Sequence, residues 1–287
     1  MIDILMDTIV DSIKLLPFLF ITYLIMEYIE HKMTEKNKKI IQKAGKAGPA
    51  IGGLLGMVPQ CGFSASASNL FVAKIISIGT LIAVYLSTSD EMIPVFLSEQ
   101  VPIQSIILII AIKAVIGIVF GLIIDFVYNK LHKESRDIDI HHDICSHDSC
   151  HCDSENLILS SIKHTASILF YIFIFSLVMN TLFHYVGEDR ILNMAMNKPI
   201  VSQLVCGLIG LIPNCAASVI ITQLYIKGLI TFGAMMTGLL VGSGVGLLVL
   251  IKMNKDIKET MKIIGLLYFI GVISGIIINL LNISIAI

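Results

Sequence analysis

Long uninterrupted apolar runs constrain this chain more than any other feature of its sequence. A helix needs roughly 20 residues to cross the hydrocarbon core of a bilayer, and four runs equal or exceed that length: Ile103–Tyr128, Leu157–Tyr185, Leu229–Lys252 and Ile263–Ile287. Apolar residues make up 56% of the chain and charged residues 14%, without the amphipathic alternation of a soluble core. The sequence therefore predicts an all-α integral membrane protein, a polytopic helical bundle surrounded by membrane lipids.

The distribution of charge predicts which loops face the cytoplasm. Lysine and arginine concentrate in segments 31–46, 130–136 and 252–262, whereas the loops 98–102 and 187–198 are poorer in them. By the positive-inside rule, we expect the three basic segments to be cytoplasmic. A further run, Ile4–Tyr28, lacks a small-residue cleavage site, so we expect a retained span that starts the mature chain at Met1. The net charge of −1 gives no indication of a nucleic-acid partner.

An internal repeat organises the chain. The motif Gly53-Leu-Leu-Gly-Met-Val-Pro-Gln-Cys61 aligns with Gly207-Leu-Ile-Gly-Leu-Ile-Pro-Asn-Cys215 at an offset of 207 − 53 = 154. Apolar glycine-rich helices resemble one another by composition, but matched Pro and Cys positions in one continuous register favour a true repeat. We therefore expect a first membrane repeat at 1–130, a cytoplasmic His/Cys/Asp-rich linker at 131–156 and a second membrane repeat at 157–287.

The repeated motif also interrupts its own helix. The segments 47–58 and 62–73 each provide about 18 Å of helix, too little to cross the membrane alone, and Pro59 and Gly62 separate them. The sequence favours two re-entrant or broken-helix hairpins, with a continuous kinked span as the alternative. Hairpins place every basic loop in the cytoplasm, and the two halves then have opposite orientations. This predicts an inverted repeat, as in many secondary transporters.

The hairpin tips are the expected transport pathway. Non-helical backbone at membrane depth occurs where it is buried in protein or lines a cavity, so the matched amides and thiols at the tips are candidate ligands. The candidate pathway residues at and after the tips are Gln60, Cys61, Ser64, Asn69, Asn214, Cys215, Ser218 and Gln223. Two alternatives stay open: the cysteines are small buried hydrophobes, and the hydroxyl groups bond their own helix backbone.

Two acidic residues fall inside the predicted span 75–97. Asp90 and Glu91 are candidates for a cation site because carboxylates in a bilayer usually face a polar pathway. Their repeat partners, Gly244 and Val245, are not acidic, which suits a single site. Alternatively, the span bends at 88–91 and the pair lies near the outer interface. Five other ionisable residues are interpreted as interfacial or snorkelling: Glu27, Lys113, Asp125, Lys163 and His164.

The central linker is rich in metal-binding side chains. Its candidate ligands are His141, His142, Asp143, Cys145, His147, Cys150, His151 and Cys152. This composition has no apolar content that would fold it without metal, and its spacing matches no closed zinc module. We expect a tether that gathers or senses metal, with its cysteines reduced in the cytoplasm.

The paired G-x-x-G-x-x-P-[QN]-C motif, the His-rich linker and the hydrophobic layout resemble the bacterial ten-span heavy-metal exporter family. Its members are called arsenic efflux proteins or manganese transporters, and the likeness covers nearly the full chain. The resemblance implies efflux across the plasma membrane by a multi-pass protein. The family counts ten spans where the motif analysis gives six spans and two two-armed hairpins.

These observations predict a secondary-type transporter that exports a transition-metal ion, with Mn²⁺ as the first candidate. No G-x-x-x-x-G-K-[ST] motif is present, so we expect an ion gradient, the membrane potential or a partner ATPase to drive transport. We expect no permanently bound cofactor, the metal being substrate and linker ligand, and homo-oligomer formation stays open. Arsenite or an organoarsenical is the alternative substrate, with Cys61, Cys206 and Cys215 as thiol ligands. An intramembrane enzyme is the alternative of another class.

Overall fold

The structure, a computed structural model, describes parts of 9–24, residues 47–58, 61–89 and 92–131, parts of 162–181, and residues 199–281. Regular structure in this part of the chain is helical throughout, which confirms the predicted fold class. The helices with defined ends are α1 (Gly48–Gly56), α2 (Cys61–Val72), α3 (Ile78–Ser87), α4 (Met92–Ser98), α5 (Ile103–Leu131), α6 (Pro199–Gly210), α7 (Cys215–Ile226), α8 (Phe232–Val241), α9 (Val245–Met253) and α10 (Ile257–Leu280).

Four helical stretches in the described residues are long and apolar enough to cross a membrane. Two are the single helices α5 and α10, and two are the consecutive pairs α3–α4 and α8–α9. The α8–α9 stretch is 89% buried over its most apolar window, whereas the α5 stretch is 33% buried. The α8–α9 pair is therefore central, and α5 presents side chains such as Phe126, which is 71% exposed, to the lipid. These helices are those of a multi-pass membrane protein.

Helix boundaries recur at the offset found in the sequence. α2 begins at Cys61 and α7 at Cys215 (215 − 61 = 154), and α5 begins at Ile103 and α10 at Ile257 (257 − 103 = 154). Even a helix cap recurs: Ser77 accepts a hydrogen bond from Thr80 N at the start of α3, and Thr231 accepts one from Ala234 N at the start of α8. The repeat therefore holds for local structure as well as for sequence.

Packing within each half follows the same plan. Helices α1, α3 and α5 pack together in the first half, as α6, α8 and α10 do in the second. Close approach between the last two helices of each trio depends on small residues, as is common in membrane bundles: Gly79 meets Gly121 in the first half, and Gly233 meets Gly275 in the second.

Helices of each half also pack on helices of the other half. α2 packs on α9 of the second half, and α7 packs on α4 of the first half. One buried apolar cluster accordingly joins Phe96 and Ile109 to Met235 and Leu239, and another joins Tyr85 to Leu240. The two repeats share a common interior and do not form separate domains.

The expected short helices are present around both motifs. α1 and α2 have 9 and 12 residues, and α6 and α7 have 12 each. Residues 211–214 are non-helical between α6 and α7, while positions 59 and 60 lie outside the described residues. The interruption predicted from Pro59 and Pro213 is thus confirmed as a break between short helices. Re-entrance of each pair to one membrane side, and the opposite orientation of the halves, stay predictions.

Two predicted spans are broken. The span 75–97 ends its first helix at Ser87 and resumes at Met92, which agrees with the alternative that it bends at 88–91, whereas the run Leu229–Lys252, expected to be one helix, is interrupted after Val241. Gly244, the N-cap of α9, has a φ of 54°, a conformation that costs glycine little and other residues more. The last span also starts earlier than predicted, at Ile257, because the Asp256 carboxylate caps α10 by accepting from Lys258 N and Glu259 N.

Candidate functional site: a polar cavity between two broken spans

A polar cavity lies where the breaks of the two central spans meet. Its volume is about 20 Å³, which is room for about one water molecule. The first half contributes Thr88, Ser89, Met92 and Lys113, and the second contributes Gly210, Asn214, Ala217, Ser218, Gly238, Leu239, Gly242 and Gly244. Both repeats therefore contribute side chains and backbone to one cavity.

The first half supplies the break itself and a positive charge. Thr88 and Ser89 follow the last turn of α3, and both are buried. The Thr88 hydroxyl donates to Val84 O at 2.7 Å, and the Ser89 hydroxyl donates to Ser87 O at 3.2 Å. Thr88 N also donates to Val84 O, at 3.0 Å, so that the backbone and the hydroxyl of Thr88 together close the last turn of α3. Asp90 and Glu91 come next in the chain and lie outside the described residues.

Lys113 projects into the cavity from the middle of α5. It is 1% exposed, and its Nζ donates to the carbonyl oxygen of Thr88 and, at 2.8 Å, to that of Leu239. The ammonium group therefore links the first half to the second. The expectation that Lys113 snorkels to an interface is wrong, because the side chain is directed inward to two backbone carbonyls.

Glycines form much of the second-half wall. A Cβ atom on Gly238 would lie 3.0 Å from Cys206 O, and Gly210 closely approaches the backbone of Gly238. These contacts bring α6 and α8 together without side chains between them. Asn214 and Ser218 add polar groups to this wall.

Two of the pathway residues predicted from sequence line this cavity. Asn214 is buried at the tip before α7, and Ser218 lies one turn along α7. Ser64 and Asn69 are buried on α2, which packs on α9, and Gln223 is half-buried further along α7; these three are not among the cavity-lining residues. Gln60, Asp90 and Glu91 lie outside the described residues, as do the side chains of Cys61 and Cys215.

Some of the hydroxyl groups bond their own helix, as the alternative interpretation expected. Thr222 Oγ1 donates to Ser218 O at 2.7 Å. Ser68 Oγ lies 2.8 Å from Ser64 O and 2.7 Å from Gly246 O, so its single proton can serve either carbonyl, and it also hydrogen-bonds Tyr85. Ser68 therefore helps to attach α2 to α9, a structural role outside the cavity.

Asp125 lies near the end of α5, and its side chain packs inside the protein. It is buried, and its carboxylate accepts from Ser77 Oγ at 2.5 Å and from Gly79 N at 3.0 Å. These donors surround the N-terminus of α3, where a negative charge is stabilised by the helix dipole. Asp125 therefore anchors α3 to α5. Glu27, Lys163 and His164 lie outside the described residues.

Metal-binding side chains do not cluster within the described ranges: no three His, Cys, Asp or Glu residues come together there. The predicted linker ligands, His141 to Cys152, lie outside those ranges. Cys206 is fully buried in the apolar cluster that joins the halves and does not line the cavity.

Lys113, Thr88 and Ser89 are the polar cavity residues that the sequence interpretation did not assign to the pathway. The signal for Lys113 was present, because ten residues of helix separate it from the start of α5 at Ile103. At 1.5 Å per residue, this depth is about 15 Å, half the hydrocarbon thickness. A lysine at that depth is a candidate functional residue by default.

No curated protein and no solved structure matches this chain. The model of the family described as "Putative, 10TM heavy-metal exporter" matches residues 1–186 and 166–285, which together cover nearly all of it. The family description and the structure agree on a multi-pass helical membrane protein. The chain therefore belongs to this family of ten-span heavy-metal exporters.

Proposed function

We propose that this chain exports a transition-metal ion across the bacterial plasma membrane, as a secondary transporter, through the cavity between its two broken spans. The observation that carries the proposal is the composition of that cavity. Thr88, Ser89, Asn214 and Ser218 contribute hydroxyl and amide groups to it, beside the Lys113 ammonium that two backbone carbonyls hold, at a junction that both repeats build. Oxygen ligands of this kind suit hard divalent ions.

Mn²⁺ is the first candidate substrate because the cavity offers oxygen donors and adjoins a carboxylate in sequence. Asp90 directly follows Ser89, which lines the cavity, and its repeat partner Gly244 lines the cavity as well (90 + 154 = 244). These two relationships support Asp90 as the negatively charged ligand. A divalent ion needs such a ligand, since a carboxylate replaces lost hydration energy far better than a neutral amide does.

Arsenite is the second candidate, and one observation favours it. Asn214 and Ala217 line the cavity and flank Cys215 in the chain, so that the start of α7 is close to the site. The three-thiol arrangement has less support, because Cys206 is buried among apolar side chains away from the cavity lining.

Three substitutions distinguish the substrates: Asp90→Asn, Cys61→Ser and Cys215→Ser, each assayed for efflux of Mn²⁺ and of arsenite. For Mn²⁺ export, Asp90→Asn should abolish efflux and the serine variants should only reduce it. For arsenite export the ranking inverts, because arsenic bonds thiolates directly.

Equal amounts of each variant in the membrane are the required control. If all three substitutions leave efflux of both solutes unchanged, neither the motif tips nor Asp90 form the transport site for Mn²⁺ or for arsenite. Flux of unaltered metal into reconstituted vesicles separates transport from intramembrane catalysis, and conversion of the solute would favour the enzyme.

A further inference from the structure

The ammonium group of Lys113 occupies a position where two helices end. Thr88 is the first residue after α3, and Leu239 lies in the last turn of α8, which ends at Val241. Carbonyl oxygens at helix C-termini lack intrahelical partners and form the negative end of the helix dipole. Lys113 donates to one such oxygen from each broken span. In transporters with broken helices, oxygens of this kind coordinate a bound cation.

The charge at this position breaks the repeat. The partner of Lys113 is Leu267 (113 + 154 = 267), a fully buried apolar residue of α10. The helix packing around both positions is repeated, so that packing alone does not require a lysine. Burial of a charged group at this depth is costly unless it is paired. At this pair of positions only the first half carries such a charge, at the junction of α3 and α8, where the two halves meet.

We propose that Lys113 acts as a tethered monovalent cation. Its ammonium group fills a cation site, here called the seat, that is formed by the carbonyl oxygens of Thr88 and Leu239. By filling this seat it fixes the breaks of the two spans relative to each other. Lys113 is then a positioning residue: it acts on the cavity through the backbone of Thr88 and Leu239, both of which line it. The native protein needs no free Na⁺ or K⁺ at this seat. When the side chain loses its charge, the seat accepts a small free cation that can donate hydrogen bonds.

Chemical rescue of Lys113→Met tests the proposal on the purified full-length protein. Methionine keeps the unbranched apolar stem but removes the ammonium, which leaves buried carbonyl oxygens without their donor. We expect the midpoint of thermal unfolding to fall by on the order of 10 °C. Ammonium chloride should restore at least half of that loss in a saturable manner. Tetramethylammonium chloride at equal ionic strength should restore none, because it is larger and has no N–H donors.

Lys252→Met is the matched control. Lys252 also donates to a backbone carbonyl, that of Ser167 at 3.0 Å, but it is only partly buried and lies over the Tyr171 ring at the end of α9. Its replacement should give a smaller decrease in thermal stability, and ammonium should not reverse it. The native protein should be equally stable in all of these salts.

Metal flux gives a second readout, and this part of the inference rests on the proposed transport function. Vesicles containing Lys113→Met should regain flux with ammonium, whereas ammonium should not raise the flux of native vesicles above that in a sodium salt of equal ionic strength. An absence of flux from native vesicles would count against the transport function alone, because the stability measurement does not depend on it.

Two results would overturn the proposal: full stability of Lys113→Met without added cation, or a loss that ammonium does not specifically reverse. If Lys113→Met does not accumulate in the membrane, Lys113→Gln is measured in the same way. Failure of both variants to accumulate with ammonium present throughout expression and purification would also overturn it, because the seat would then reject a free cation.

Discussion

A Cβ atom on Gly121 would lie 2.6 Å from the carbonyl oxygen of Gly79, and one on Gly275 would lie 2.5 Å from that of Gly233. These distances are too short for a real side chain, so each glycine pair permits a backbone approach that alanine forbids. The two pairs are separated by the same 154 positions as the sequence repeat (275 − 121 = 154). The repeat is therefore a repeat of helix packing.

We predict that Gly121→Ala and Gly275→Ala each destabilise the protein by about 1–3 kcal/mol, through forced separation of packed helices. Gly265→Ala is the control, because no atom lies within 4 Å of a Cβ at that position of α10. Its effect should be neutral or stabilising, since alanine favours helix by up to about 1 kcal/mol over glycine. Thermal unfolding of the purified variants measures the difference. Similar stabilities for all three would show that the close approaches are not needed.

The cavity lining predicts that residues at the start of α7 matter for transport and that residues further along α7 do not. Asn214→Ala and Ser218→Ala should each lower metal flux about tenfold, which corresponds to the loss of one ligand or hydrogen bond in the pathway. Gln223→Ala, further along α7 and away from the cavity lining, should leave flux within about twofold. Initial rates in vesicles with equal protein content measure the three variants. A loss confined to Gln223→Ala would place the pathway elsewhere on α7.

The orientation of the two halves is open to direct labelling. Glu99 and Lys255 are both exposed, in the connections that precede α5 and α10. An inverted repeat places Glu99 outside and Lys255 in the cytoplasm, with Lys38 inside and Asn193 outside. In a background without native cysteines, an impermeant thiol reagent applied to intact cells should label a cysteine at position 99 and not one at 255. Labelling of both would indicate parallel halves.

Removal of His141 to Cys152 should weaken metal binding to the purified protein but leave transport largely intact at high substrate concentration. The reason is that a tether without apolar content concentrates ions without forming the pathway. Equilibrium metal binding and vesicle flux measure the two effects separately. If flux disappears from a correctly folded variant, the linker is part of the transport site.

The sequence by itself determined the class of protein and the plan of its repeat. Uninterrupted apolar runs require spanning helices, because a bilayer core offers no water to satisfy exposed backbone groups. The matched motifs ending at Cys61 and Cys215 located two helix breaks, because proline and glycine interrupt helices through local geometry alone. Asn214 and Ser218 were identified in the same way, from their position beside a break.

Only the tertiary structure decided which groups meet in the cavity. Thr88 and Ser89 lie in the bend at 88–91 that the sequence offered as an alternative, but the break at Gly242 to Gly244 meets theirs only through contact between the two halves. Lys113 was placed at an interface because a long side chain at the surface of a helix can extend toward water. Its inward direction depends on carbonyl groups 25 and 126 residues away in the chain. Packing between helices brings together partners that are this far apart in the chain. A local pattern of residues does not predict such packing.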